Sequence, residues 1–176
     1  MEVLEQVPKT ALDVFRLLPE GTLCEVIDNV LYMSPAPKYT HQRLVFFLAR
    51  TIAALVDKAA KGEVMVSPFD VYLENLQSAV QPDILYISNE NMGILKDDGY
   101  IHGAPDLIVE VLSGDVKRDT VTKKNLYEKA GVKEYFIANP SIRQMQRFVL
   151  QDGKYGPVTE TVGQFTSQLL QLTFEF

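Results

Sequence analysis

The chain predicts a mixed β-sheet flanked by helices, an α/β or α+β sandwich. Three observations carry this. Asp106 to Leu112 is an almost unbroken apolar run, as expected of a central strand covered on both faces. Residues 40–60 repeat apolar side chains at spacings of three and four, the period of a helix with one buried face. Asp28-Asn29 and Asp152-Gly153 each divide a strand-like stretch in two and mark hairpin turns.

Taken in order, Thr10 to Leu18 predicts a short helix ended by Pro19-Glu20-Gly21, and Leu23 to Ser34 predicts two strands about Asp28-Asn29. After Pro35-Ala36-Pro37 comes the long helix, its buried face marked by Leu44, Leu48, Ile52, Leu55 and Ala59 and its end by Gly62. Val64 to Glu74 and Val80 to Ile87 are expected strands. Asn89 to Gly103 is polar and glycine-containing, the composition of a flexible loop beside a site. The central strand leads to a helix over Asp119 to Ala130, with Asp119 as N-cap and Gly131 at the stop. Tyr135 to Ala138 is a short strand, Arg143 to Leu150 and Lys154 to Val158 a hairpin, and Phe165 to Phe176 an apolar tail that packs on the rest. A chain of 176 residues fits one domain, 1–176, with a sizeable core.

Composition narrows the function classes. No apolar stretch reaches membrane-span length. Met1 to Gln6 carries acids and no basic flank, unlike a signal peptide. Cys24 is the only cysteine, so no disulfide framework forms within one chain, which fits a cytoplasmic protein. The net charge of −6 weighs against nucleic acid as a partner, because phosphate binding is driven by Lys and Arg. A site that collects carboxylates for a metal adds negative charge of its own, and basic residues can still cluster locally.

The residues that carry chemistry are polar ones where apolar ones belong. Asp83 and Glu110 interrupt two strand-like apolar runs, and a carboxylate buried in a strand is costly unless a cation meets it. Side chains alternate along the central strand, so Asp106, Ile108, Glu110 and Leu112 share a face. Asp106 follows Pro105 and is read mainly as a residue that opens the strand. Lys123, Leu126, Tyr127 and Ala130 lie on one helical stripe, which turns Lys123 inward and Lys124 about 100° away. Glu25, in the apolar Leu23 to Ile27, is a third candidate acid. His41 opens the long helix on the stripe of Val45 and Leu48 and is read as a capping or core histidine; His102, the only other one, lies in a loop, which leaves no zinc set. Each acid has a structural alternative as an ion pair or turn, and Lys123 as a surface lysine with a buried stem. Walker, G-x-G-x-x-G and G-x-S-x-G signatures are absent from the sequence.

The stretch from Ala104 to Ser113, followed by Asp119, Lys123, Tyr127 and the run Gly131 to Pro140, resembles the Uma-two family of putative restriction endonucleases, within the PD-(D/E)XK nuclease superfamily. Glu25 to Asp28, Ser34-Pro35, His41-Gln42 and Gln81 to Ile84 fit the same pattern in order, and the resemblance spans roughly residues 10 to 172. It departs at Asn139, Phe136 and Gly114, where the family often has Asp, Trp and Pro. The resemblance implies a restriction-endonuclease-like fold, with Asp83 and Glu110 as metal-binding acids, Lys123 as a lysine moved from strand to helix, and Glu25 as a further acid. Leu112 stands where the superfamily usually places that lysine. The implied activity is Mg²⁺- or Mn²⁺-dependent hydrolysis of DNA phosphodiesters, with a homodimer as the arrangement that would cut both strands. A module that keeps the fold and binds nucleic acid or protein without cutting is the alternative, and an RNA or single-strand nuclease a second.

Overall fold

A computed structural model describes residues 7–176; the reading of Met1 to Gln6 lies outside the described residues. The chain opens with helix α1 (Ala11–Leu17), whose Thr10 and Asp13 cap one another's backbone N–H groups. Strands β1 (Cys24–Ile27) and β2 (Val30–Met33) form a hairpin in which Asp28 and Asn29 both take positive φ, 48° and 60°, as a two-residue turn matched to strand twist requires. The long helix α2 (Tyr39–Ala59) follows, then β3 (Gly62–Val66), β4 (Val71–Leu73), β5 (Ser78–Val80), β6 (Ile84–Ser88), β7 (Ile101–His102) and β8 (Leu107–Val111). A π-helical segment, Arg118–Lys123, runs into α3 (Lys124–Ala130), and Gly131 ends that helix at φ 93°. The remainder is β9 (Glu134–Asn139), β10 (Gln144–Gln151), β11 (Lys154–Tyr155), β12 (Thr159–Val162), β13 (Gln164–Ser167) and β14 (Leu172–Glu175).

These strands build two main sheets. The larger has the order β11-β10-β9-β8-β6-β3, with β12 also on β10. β8 is its centre, antiparallel to β6 and parallel to β9, and every residue of β8 is buried. The smaller sheet has the order β2-β1-β5-β4-β7, and β13 and β14 pair as a hairpin. On one face of the larger sheet, Val45, Leu48, Ile52 and Val56 of α2 pack on Ile84, Leu107, Val109 and Phe136. On the other, Leu126 and Tyr127 of α3 join Leu85, Ile108 and Ile137, and residues of the smaller sheet complete that core. The tail packs as expected, with Phe165 stacked on Phe136 at 4.5 Å between ring centres.

Several expectations are corrected. The buried stripe of α2 is His41, Val45, Leu48, Ile52 and Val56; Leu44 and Leu55 flank it and Ala59 is exposed. The helix is closed by Ala60 at φ 51°, and Gly62 opens β3, where a Cβ would stand 2.0 Å from the Ile87 carbonyl oxygen. Each of the two expected long strands is divided, β3 from β4 at Ser67-Pro68 and β5 from β6 at Gln81-Pro82, because proline has no N–H to give a ladder. These breaks send consecutive strands to different sheets. The Asn89 to Gly103 segment folds into a short 3₁₀ helix, Asn89–Ile94, and β7, which pairs with β4 at the far edge of the smaller sheet, away from the site. The helix before Lys123 begins at 116, and its cap is Asp115, whose carboxylate accepts from the Arg118 N–H at 3.1 Å. Asp119 lies inside the helix and is buried.

Candidate active site

Three consecutive facts of the chain place Asp83 and Glu110 together. Pro82 ends one pairing, β6 starts at Ile84, and Ile84 faces Val109 in antiparallel register. The next position along that register sets Asp83 against Glu110, at the end of the sheet where β6 begins. Both acids line a cleft of about 500 Å³. Its walls are the Ser34 to Gln42 segment on one side and the Val111 to Lys123 segment on the other, with Glu25 entering from β1.

Lys123 sits among the acids. Its Nζ is 2.9 Å from Glu110 Oε1, 2.9 Å from Glu25 Oε1 and 4.0 Å from Asp119. Of the sequence-predicted acids, Lys123 meets Glu110 and Glu25, one from each sheet, and not Asp83. The Tyr127 hydroxyl donates to the same Glu110 Oε1 at 2.7 Å. Asp83 is held separately. Its Oδ2 accepts from the Val111 N–H at 2.7 Å and lies 3.1 Å from His41 Nε2. Gln81 completes the frame: its N–H donates to Glu25 at 3.0 Å and its side-chain amide to Asp70 and the Thr22 carbonyl. Lys124 turns away and lies over the Phe148 ring.

The charge balance is lopsided. Glu25, Glu110 and Asp119 share one buried lysine, and Asp83 stands beside them on His41. Burial pushes Glu110 up to about 8; Lys123 pulls against this, and Asp83, Asp119 and Glu25 add to it. Burial likewise raises Asp119 to about 6. Burial opposes the charge on Lys123, but Glu110, Glu25 and Asp119 outweigh it and hold the ammonium well above the ordinary lysine value. Burial opposes an imidazolium at His41, yet the Asp83 hydrogen bond and charge raise its pKa. One ammonium cannot neutralise this many carboxylates, so Glu110 keeps its proton near neutrality unless further positive charge arrives.

The donor set fits a hard divalent cation. Both contacts to Asp83 fall on Oδ2 and both to Glu110 on Oε1. The other oxygen of each is unpartnered among the described residues and reaches the cleft. Two carboxylates with waters filling the octahedron are a usual protein share of a Mg²⁺ or Mn²⁺ site. Among the described residues no three His, Cys, Asp or Glu side chains form a ready-made cage, so such an ion would keep most of its waters.

Asp106 is elsewhere. It lies buried behind β6, accepting from the Ser88 N–H at 2.8 Å and paired with Lys133 at 2.6 Å, and it does not line the cleft. Sequence reading missed Arg118, Asp119 and Tyr127 as site neighbours and His41 as the partner of Asp83. The signal for the first three was their nearness in sequence to Lys123; for His41 it was its place on the buried stripe of α2.

A mixed sheet with a lysine bound to acids in a cleft at its edge defines a class of nuclease-like folds, and here the chain can be placed within one. The family model described as "Putative restriction endonuclease", Uma2, matches residues 12–175, and the chain belongs to this family. The fold is shared with the crystal structure of a protein from Anabaena variabilis described as "a putative nuclease belonging to DUF820". That likeness has a TM-score of 0.75 at 19% identity and covers 96% of this chain and 95% of the other. No curated protein matches the chain.

Proposed function

We propose that this protein is an endonuclease that hydrolyses DNA phosphodiester bonds with Mg²⁺ or Mn²⁺. The observation that carries this is the pair of unengaged carboxylate oxygens, on Asp83 and Glu110, facing one cleft whose acids outnumber its lysine. Membership of a family described as "Putative restriction endonuclease" supports the same reading. Asp83 and Glu110 would hold the ion, which when bound supplies a Lewis acid for the scissile phosphate and a more acidic water.

The chain's own residues do the rest. Val111 N–H and His41 fix the Asp83 carboxylate by Oδ2 and leave Oδ1 to the cleft. Tyr127 and Lys123 do the same for Glu110 through Oε1. Lys123 remains an ammonium across the neutral range, so it contributes charge and position, and proton removal falls to another group. Glu25 holds Lys123 from the second sheet and keeps it off the solvent. The described helices include none long and apolar enough to cross a membrane. We read residues 1–176 as one domain of a cytoplasmic protein and a homodimer as the form that would cut both strands.

A silent module that keeps the fold and binds nucleic acid or protein is the second reading. The net charge of −6 favours it. Purified wild type, Asp83→Ala and Glu110→Ala should be assayed on plasmid, single-stranded DNA and RNA with Mg²⁺, Mn²⁺ or EDTA. The nuclease reading expects metal-dependent nicking of plasmid that falls at least roughly 10²–10³-fold in both variants. Equal traces from wild type and Asp83→Ala mark a contaminant and favour the silent module. Cleavage confined to RNA or single strands replaces the substrate.

A further inference from the structure

The cleft is acidic, so a polyanion can settle in it only where a cation is uncommitted. Lys123 is not; Glu25 and Glu110 hold it at 2.9 Å each. We infer that Arg118 is the anchor for a phosphate of the substrate, an inference that rests on the phosphodiesterase reading above.

Arg118 lines the same cleft and is half-buried. Among the described residues no carboxylate lies within ion-pairing distance of it. Its Nε is buried with no hydrogen-bond partner, a cost that proteins seldom carry without return. Its place in the chain is fixed nonetheless. The Arg118 N–H meets both the Asp115 carboxylate at 3.1 Å and the Asp115 carbonyl at 3.2 Å, at the start of the helix. The π-helical segment begins at this residue and carries Asp119 and Lys123 into the core while Arg118 stays on the cleft wall. A guanidinium offers a planar fork of donors that matches two oxygens of a phosphate. Lys38, on the other wall, is exposed and free of ion pairs among the described residues, but as a hydrated charge on a flexible stem it adds field rather than register. Among the described residues Arg118 is therefore the one cleft cation that combines free donors with a fixed backbone.

Fluorescence anisotropy with a labelled DNA duplex, and with one of its strands alone, tests this in Ca²⁺, titrating salt. Wild type is compared with Arg118→Ala, Arg118→Lys and Lys117→Ala. Lys117 is exposed and does not line the cleft, so its loss removes an equal charge from the same neighbourhood. The anchor predicts that Arg118→Ala weakens binding roughly tenfold or more and lowers the log–log salt slope by about 1. Arg118→Lys should fall between, and Lys117→Ala should stay within about twofold, as a distant surface charge does. Equal small losses in Arg118→Ala and Lys117→Ala overturn the anchor and leave only a general field. Wild type that binds or cleaves DNA while Arg118→Ala binds as well as it does overturns Arg118 alone. Wild type that binds neither probe at low salt, and cleaves none of the substrates named above, overturns the phosphodiesterase reading and Arg118 with it. If Arg118→Ala does not fold by thermal melt, Arg118→Lys decides: unchanged affinity and slope assign Arg118 to the fold and overturn the anchor.

Discussion

Asp106, just before β8, and Glu110, within it, are two buried acids four residues apart, and they are treated in opposite ways. Asp106 has a lysine of its own. Burial works against its charge, but Lys133 and the Ser88 N–H outweigh burial and hold its pKa below the usual carboxylate range. Glu110 has a lysine that it must divide with Glu25 and Asp119, and its pKa stands near 8. The first acid is a fastener: its partners come from the fold, and the mostly exposed Lys133 gives a whole cation to one buried carboxylate. The second is a deficit of positive charge, sealed inside and open only toward a cleft. The lesson is that burial alone does not separate a structural acid from a site acid; the ratio of acids to cations around it does.

The comparison breaks first at the two lysines. Lys123→Ala should cost about 3–5 kcal/mol, because it leaves buried carboxylates with no cation. Lys133→Ala should cost less, about 1–3 kcal/mol, since the buried Asp106 carboxylate loses its cation but keeps the Ser88 N–H. Denaturant melts at neutral pH decide this, and equal losses would mean that the two acids are not different in kind. Glu110→Gln on the Lys123→Ala background should return part of the stability.

Acidity gives the next largest contrast. Glu110 binds its proton more tightly folded than unfolded, so between about 4.5 and about 8 the native state holds the extra proton. Stability in EDTA must then fall as pH rises through that window, on the order of a few kcal/mol, and Asp119 adds to the fall up to about 6. Asp106 acts with the opposite sign: its contribution is present above the ordinary aspartate pKa and is lost in acid. Glu110→Gln should flatten the neutral decline and Asp106→Asn should leave it in place. A wild-type profile that is flat or rising from pH 5 to 8 would contradict the shared-lysine account.

Metal sharpens the difference further. At about a hundred times the dissociation constant, Mg²⁺ should stabilise wild type by roughly 2.7 kcal/mol, a melting shift of roughly 5–11 °C for a domain of this size. Asp83→Asn should be at least as stable as wild type in EDTA and respond much less to Mg²⁺; Asp106→Asn should be less stable and respond in full. Loss of stability in Asp83→Asn with an unchanged Mg²⁺ response would remove Asp83 from the metal site. The smallest effect is at Tyr127, where Phe removes one hydrogen bond to Glu110 and should cost about 0.5–1.5 kcal/mol, read by the same melts.

Much of this was legible in the chain because the signals were local. Glu110 stands in an apolar strand, the Asp28-Asn29 and Asp152-Gly153 turns announce themselves, and Gly131 ends its helix where expected. What failed depended on distant partners. The Pro68 and Pro82 breaks look like irregularities within long strands until one knows that the chain changes sheets there. Asp119 reads as a cap by sequence, but the helix starts earlier, behind Asp115, and its π-helical segment carries Asp119 inward. The stripe of α2 is turned toward Val45 and Val56 because the sheet it covers is fixed by β6 and β8. Pairing of His41 with Asp83 joins residues 42 apart, beyond what helical spacing can reveal.

Lys123 takes one hand from each sheet, Glu25 from β1 and Glu110 from β8. That makes the ammonium a mechanical rivet as well as a charge. With it in place, amide protons of the two sheets should exchange with solvent as one cooperative block. Without it, the two sheets still share an apolar core, and the tie lost is the one at the cleft. Anything that fills the cleft and draws Glu110 away from the lysine would undo that tie, and the amides of the β1–β2 hairpin are where faster exchange would show.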